Sequence, residues 1–201
     1  MTDVWASSRR GLRPSGEQLA RYRKVKMLPS GSRLLLRPLA HEDKQGLVDL
    51  FARASKEDLE YFRDDAGDPV VVESWVDNLN LERVFPLVAV VDDKIVGDAT
   101  LHFRERYHRH LAWVRIFLDR AYRRQGIGTL MLRSLIEIAR HVGLQQLYTE
   151  IVANQGRAIK AFQDLGFQRE VTLSDYFITS GGETLDMVVL MLRLVERSGK
   201  F

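Results

Sequence analysis

The stretch Asp119–Gly143, DRAYRRQGIGTLMLRSLIEIARHVG, decides how the rest of the chain is read. Its second half places Ile127, Leu130, Met131, Leu135, Ile138, Ala139 and Val142 at the spacing of one helix face. Gly143 suits the position just past that helix. Its first half sets Arg123, Arg124, Gly126 and Gly128 directly at the helix start. A helix start exposes backbone N–H groups with no intrahelical acceptor and the positive end of the macrodipole. Glycines let a ligand approach the backbone, and arginines add charge and planar hydrogen-bond forks. The combination favours a phosphate or pyrophosphate. A P-loop requires Lys and Ser/Thr after its last glycine, where this chain has Thr129 and Leu130. A dinucleotide-binding turn requires a third small residue, where Met131 stands. Taken alone, the stretch leaves open a tight turn with solvated arginines.

Working outward, "HLAWVRIFL" (110–118) reads as the strand leading into this loop, and "LQQLYTEIVA" (144–153) as the strand after the helix. Before them, "VFPLVAVVDDKIVGDATLHF" (84–103) is two apolar runs around Asp92-Asp93-Lys94, a hairpin signal. "RLLLRPL" (33–39) reads as a buried strand, "AHEDKQGLVDLFARAS" (40–55) and "KEDLEYFRDD" (56–65) as helical pieces. Asp68-Pro69 opens a further helix to Leu79. After the central unit come a helix "GRAIKAFQDL" (156–165) stopped by Gly166, then "FQREVTL" and "LDMVVLMLRL" as a closing antiparallel pair turned at Gly181-Gly182. The order is β-α-α-α-β-β-β-α-β-α-β-β, a mixed α/β domain over residues 32–196, with a tail at 197–201. Residues 1–31 form a basic arm, with a short helix expected from Glu17 to Met27 before Pro29 and Gly31 break it.

Hydrophobic residues at 45% and charged residues at 28% fit a soluble globular chain. The chain has no cysteine, which excludes disulfides, cysteine-ligated zinc and a thiol nucleophile. No apolar run approaches the roughly 18 residues of a membrane span, so no membrane partner is expected. The five histidines show no paired ligand spacing, and no metal is expected. Residues 1–33 hold eight Lys/Arg against two acids, while the remainder holds 22 against 25. The basic arm is read as a solvated lead-in, with a faint likeness to an organelle transit peptide. Nucleic acid is disfavoured as a partner because the folded part is slightly acidic. A cytoplasmic location is expected.

"RRQGIG" matches R-x-x-G-x-G/A, preceded by a strand ending "IFLD" and an aromatic at Tyr122, and followed by "NQGRAIKAFQDLGF" (154–167), a helix closed by Leu-Gly-Phe. With both motifs so spaced, the chain resembles the GNAT superfamily of acyl-CoA-dependent N-acetyltransferases. The likeness runs from Arg33 to Leu194 and concentrates between Ala112 and Phe167. The segment "LLLRPLAHEDKQGLVDLFARASKEDLEYF" (34–62) is similar to the acetyltransferase domain of bacterial protein-lysine acetyltransferases. The resemblance implies a GNAT fold: a mixed, mostly antiparallel central sheet with splayed middle strands and helices on both faces. It implies acetyl-CoA as acyl donor, its pyrophosphate on the N–H groups of Arg123, Arg124, Gln125, Gly126, Ile127, Gly128 and Thr129. Its pantetheine arm would lie along the backbone of Phe117 and Leu118, with Asn154 and Phe162 at the neighbouring helix. The implied reaction is direct attack of a primary amine on the thioester, the acceptor being a small molecule or a protein lysine and the protein a monomer or homodimer.

An alkylammonium has a pKa near about 10.4, so a base or a desolvating pocket must help remove its proton. The glutamate that many relatives carry early in the strand before the pyrophosphate loop aligns with Ala112 or Trp113. The tyrosine that many carry in the last helix aligns with Phe162. Candidate replacements are Glu105, His110, Glu150 and Tyr176, with His102 and Tyr148 as further choices. The missing pair also motivates an alternative, a catalytically impaired acyl-CoA-binding sensor or regulatory module.

Overall fold

One sheet is built from eight strands: β1 (Lys24–Met27), β2 (Arg33–Pro38), β3 (Val84–Val91), β4 (Lys94–Phe103), β5 (Leu111–Leu118), β6 (Gln146–Val152), β7 (Gln168–Ile178) and β8 (Thr184–Arg193). The computed structural model describes residues 16–195. The sheet order is β1-β2-β3-β4-β5-β6-β8-β7, antiparallel throughout except for the parallel β5–β6 pair. The helices are α1 (Gly16–Leu19), α2 (Lys44–Ala52), α3 (Lys56–Leu59), α4 (Pro69–Asp77), α5 (Ile127–His141) and α6 (Gly156–Gln163). From β2 onward the order of elements is the one expected from the sequence. The β3–β4 turn has Asp92 and Asp93 at φ 47° and 58°, the pair of positive angles that a two-residue hairpin turn needs.

Each face of the sheet carries its own core. On β3, Leu87, Ala89 and Val91 join the cluster with Met131, Leu135 and Ile138 of α5. Val88, between them, points the other way and joins Leu47, Leu50 and Phe51 of α2 and Val72 and Val76 of α4. Helix α4 starts as the sequence indicates, with Asp68 accepting the Val70 N–H at 2.9 Å and Pro69 in the first turn.

Two segments differ from expectation. The helix expected from Glu17 to Met27 is a single turn, α1, and Lys24–Met27 is instead an edge strand against β2. Pro29 and Gly31 (φ 86°) turn that hairpin, closed by the Leu28 N–H donating to the Ser32 carbonyl at 2.9 Å. Pairing with β2 outweighs the helix preference of a short segment. Leu19, Tyr22 and Leu28 are buried in the α5-side core, so packing begins within the segment read as an arm. Residues 1–15 of that arm and the tail at 197–201 lie outside the described residues. In "KEDLEYFRDD" only α3 is helical; Ser55 caps it by accepting the Asp58 N–H at 3.2 Å, and the chain continues as a loop across the sheet.

Candidate active site

The loop between β5 and α5 is held by charge pairs that leave its backbone free. Asp119 accepts the Ala121 N–H at 3.0 Å and Arg53 Nε at 2.9 Å, fixing the corner where β5 ends. Arg123 donates Nε to the Leu118 carbonyl at 2.8 Å and reaches Asp58 of α3 with Nη2 at 3.1 Å. Asp58 also accepts Arg120 Nε at 2.7 Å. Burial works against the Asp58 carboxylate, yet the bonds and charges of Arg123 and Arg120 hold it below the ordinary value. Arg124 (φ 64°) and Gly126 (φ 77°) then turn the chain into α5. The first N–H to find a helical carbonyl is that of Leu130, to Gly126 at 3.0 Å. Within the described residues, the six successive N–H groups from Arg124 to Thr129 donate to no acceptor. Together with exposed Arg124 they present unpaired donors and a positive charge, the chemistry that suits an anion. Arg123 acts as a strut of this loop rather than a free cation.

Beside it, β5 and β6 part company. Their ladder joins only Leu111–Trp113 to Gln146–Tyr148. Beyond that, Val114–Leu118 and Thr149–Val152 keep partners on their outer edges alone. Apart from the Leu118 carbonyl, which Arg123 takes, the facing backbone groups need partners, and an extended chain bearing amides fits such a slot. The Phe117 side chain turns away from it, stacking on Phe51 at 5.1 Å. Asn154 donates to the Tyr61 hydroxyl at 3.1 Å. Phe162 is buried edge-on against Phe167 and offers no acid.

On the α2/α4 face, a cavity of about 910 Å³ opens over β4 and β5. Register places Asp98, Thr100 and His102 of β4 opposite Phe117, Arg115 and Trp113 of β5. Asp98 Oδ1 is sealed from solvent and accepts no hydrogen bond. Burial pushes its carboxyl up to about 7, only partly opposed by the Arg115 charge. Burial, followed by the charges of Arg115, Arg63 and Arg104, pushes His102 down to about 4, so its ring is neutral near pH 7 and shares a 2.9 Å hydrogen bond with Thr100. Arg115 lies over Phe62 (4.8 Å), Trp113 (5.3 Å) and Trp75 (5.9 Å), with Asp64 at 3.9 Å as its ion-pair partner.

Of the sequence-derived candidates, Glu105 lies on the rim of this cavity, exposed and 3.6 Å from Arg83, and His102 lies in its wall. Glu150 projects from β6 into an ion pair with Arg63 at 2.5 Å, and Arg63 stacks on Trp113 at 4.5 Å. The His110 carbonyl accepts the Gln145 and Gln146 N–H groups where β5 and β6 begin. Tyr176 is exposed on the outer strand β7, and Arg104 lies 6.0 Å from the Tyr148 ring. The structure therefore does not bring His110, Glu150 and Tyr176 into the cavity with Glu105. Asp98 and Arg115 were missed in the sequence; the available signal was a charge midway along each of two apolar strands. Among the described residues, no group of three or more His, Asp or Glu is placed to hold a metal ion.

A model of the acetyltransferase (GNAT) family matches residues 48–167, well over half of the chain. The chain belongs to the GNAT acetyltransferase family. Over 77 residues it is 31% identical to the [ribosomal protein bS18]-alanine N-acetyltransferase of Escherichia coli strain K12, covering 38% of this chain and 51% of that protein. The chain thus spans about half the length of the curated relatives it matches. Among solved structures, a ribosomal-protein-alanine N-acetyltransferase from Brucella melitensis superimposes with a TM-score of 0.69 at 25% identity, over 79% of this chain and 98% of that one. The yncA protein of Salmonella typhimurium, solved with its cofactor acetyl-CoA, superimposes at 0.68 with 19% identity, over 82% and 96%. GNAT acetyltransferases use acetyl-CoA, and the run of unpaired N–H groups beside an unpaired strand edge has the donors that a pyrophosphate and amides require.

Proposed function

We propose that this protein is an N-acetyltransferase that moves the acetyl group of acetyl-CoA to a primary amine by direct attack. The observation that carries the reading is the run of six unpaired N–H groups from Arg124 to Thr129 beside the unpaired edge of β5. The N–H groups at the α5 start, Gly126, Ile127, Gly128 and Thr129 among them, hold the pyrophosphate. Gln125 and Arg124 flank it, and Arg123 keeps the loop in place. The open edge of β5 at Leu118, next to Phe117 whose own carbonyl stays in the β4–β5 ladder, aligns the pantetheine amides through its N–H and directs the thioester toward the cavity on the α2/α4 face. Asn154 and the α6 turn ahead of Phe162 border the other side. A backbone N–H of β5 stabilises charge on the thioester oxygen. The chain has no cysteine, in keeping with transfer that needs no enzyme-bound thioester. The reading includes a cytoplasmic location and a small-molecule or protein amine as acceptor. The relatives named for ribosomal-protein alanine make protein amines one class to test beside small ones.

Calorimetric titration with acetyl-CoA, beside Gly126→Pro, tests this reading. Proline cannot adopt the φ of 77° at that position and removes an N–H. Binding to the parent and its loss in the folded variant are expected, followed by amine-dependent release of CoA thiol. No binding to the folded parent overturns the reading. Binding without thiol release across a broad amine panel leaves the sensor alternative in its place.

A further inference from the structure

The cavity on the α2/α4 face holds two half-buried charges of opposite sign, each short of a partner. Asp98 Oδ1 is sealed from solvent with no hydrogen bond. Arg115 donates no hydrogen bond among the described residues, and its one ion pair, to Asp64, is a long 3.9 Å. Its guanidinium is instead fixed between Phe62, Trp75 and Trp113, which presents its planar fork in one orientation. Asp98 and Arg115 feel one another's charge, yet they form no ion pair with each other. Both project from the same sheet face, since Thr100 is opposite Arg115 and Asp98 is opposite Phe117. A buried carboxylate without a partner is completed by an ammonium, and a buried guanidinium by a carboxylate. One ligand that carries both groups close together satisfies the two at once.

Resting on the acetyltransferase reading, we propose that the acceptor is a free amino acid, its ammonium docked on Asp98 and its carboxylate on Arg115, and that Asp98 takes the proton that frees the amine. Strand β4, which bears Asp98, lies one inter-strand spacing of about 4.8 Å from β5, whose open edge is on its far side, so a ligand over this sheet face reaches a thioester aligned there across the width of β5. His102, neutral and bonded to Thr100, walls the cavity. Leu39, Leu47, Leu79, Val84 and Pro86 leave apolar room for the amino-acid side chain. The steps balance. Asp98 accepts one proton from the ammonium, and the nitrogen lone pair forms the C–N bond. The C–S bond breaks, the thiolate takes the second nitrogen proton, and Asp98 returns its proton to solvent. The products are the N-acetyl amino acid, CoA thiol and one proton. A peptide N-terminus supplies the amine but puts an amide where the guanidinium needs an anion, so it fits less well.

The test is CoA thiol release by the full chain with saturating acetyl-CoA and each of the twenty L-amino acids, every active one compared with its carboxamide and with a tripeptide starting in the same residue. At least one free amino acid is expected to be acetylated. Its carboxamide and tripeptide should fall by on the order of 100-fold in kcat/KM. Arg115→Lys should act mainly on KM for the amino acid, and the near-isosteric Asp98→Asn mainly on kcat, both with acetyl-CoA affinity retained and with melting curves confirming the fold. Equal rates with carboxamides or tripeptides, or no amino acid used although acetyl-CoA binds, overturn the proposal while the transferase reading stands. Absence of acetyl-CoA binding overturns both.

Discussion

Gly97→Ala is a sharp test of how β4, β5 and α5 meet. A Cβ at residue 97 would lie 2.9 Å from Leu118 Cδ1, 3.1 Å from the Phe117 carbonyl oxygen and 3.2 Å from Met131 Sδ. The leucine methyl and the methionine can swing aside. The Phe117 carbonyl cannot, because it belongs to the β4–β5 ladder that pairs Gly97 with Leu118. Overpacking of this kind costs about 1–3 kcal/mol. For a chain of this size each kcal/mol moves Tm by about 2–4 °C, so a fall of roughly 2–12 °C is expected. The displaced strand also carries the edge proposed to align pantetheine, so acetyl-CoA affinity should fall with it. Gly128→Ala is the matched control. Its Cβ meets only Ile116 and Leu118 methyls at 3.8 Å, and alanine is favoured over glycine in a helix by about 1 kcal/mol. That variant should hold or raise Tm, measured by circular dichroism without ligand. A Gly97→Ala protein that melts with or above the parent would refute this account of the three-way contact.

Two further perturbations concern charge. Asp43 accepts two bonds from Arg37 and the Ala40 N–H at 2.9 Å. Burial works against its carboxylate, but the Arg37 bonds and the Ala40 bond outweigh it and hold it below the ordinary value. The unfolded chain therefore takes up this proton first. The stabilisation is complete above the unfolded value of about 3.9 and is lost as pH falls through the lower folded value. Asp43→Asn should lower Tm at pH 7 by an amount equivalent to about 2 kcal/mol, and the gap to the parent should close below pH 4; a constant gap in a pH series of melts would contradict it. Asp58→Ala releases Arg120 and Arg123 from the loop before α5. Because those pairs are partly exposed, an effect near 1 kcal/mol is expected, read as a roughly fivefold rise in KM for acetyl-CoA with little change in kcat; an unchanged KM would remove the strut role of Arg123.

The turn into α5 was legible because its signals are local: glycine, arginine and helix periodicity lie within one turn of each other. The same holds for the Asp92-Asp93 hairpin and the Asp68-Pro69 helix start. Residues 24–27 were misread because four residues carry too little periodicity; what makes them a strand is the neighbouring edge of β2. Arg123 was legible as a residue of the loop but not as its strut, since its partner Asp58 lies 65 positions earlier and meets it only in the folded chain. Asp98 and Arg115 were invisible for a related reason. Each is an isolated charge in an apolar strand, and only the β4–β5 register shows that they share a face and a cavity.

The isolation of Asp98 has a consequence for stability that separates a functional carboxylate from a structural one. A structural carboxylate is ionised more easily in the fold than out of it, as Asp43 is. Asp98 goes the other way, from an ordinary 3.8 to about 7, because burial dominates and Arg115 only partly compensates. The folded chain then binds this proton more tightly than the unfolded one, so stability falls as pH rises from about 4 to about 7 and is level beyond. The shift corresponds to roughly 4 kcal/mol for this group alone. Arg83, Arg104, Arg115, His102, His108, Asp64 and Glu105 line the same cavity and set the local field. Asp98→Asn removes the charge and keeps the shape. It should therefore raise Tm above pH 7, leave it nearly unchanged at pH 4, and lower kcat. Stability traded against turnover is what a residue kept for chemistry predicts. A variant that instead melts lower than the parent at pH 8 would mean that the carboxylate is satisfied in the fold, and the case for Asp98 as the group awaiting an ammonium would fall with it.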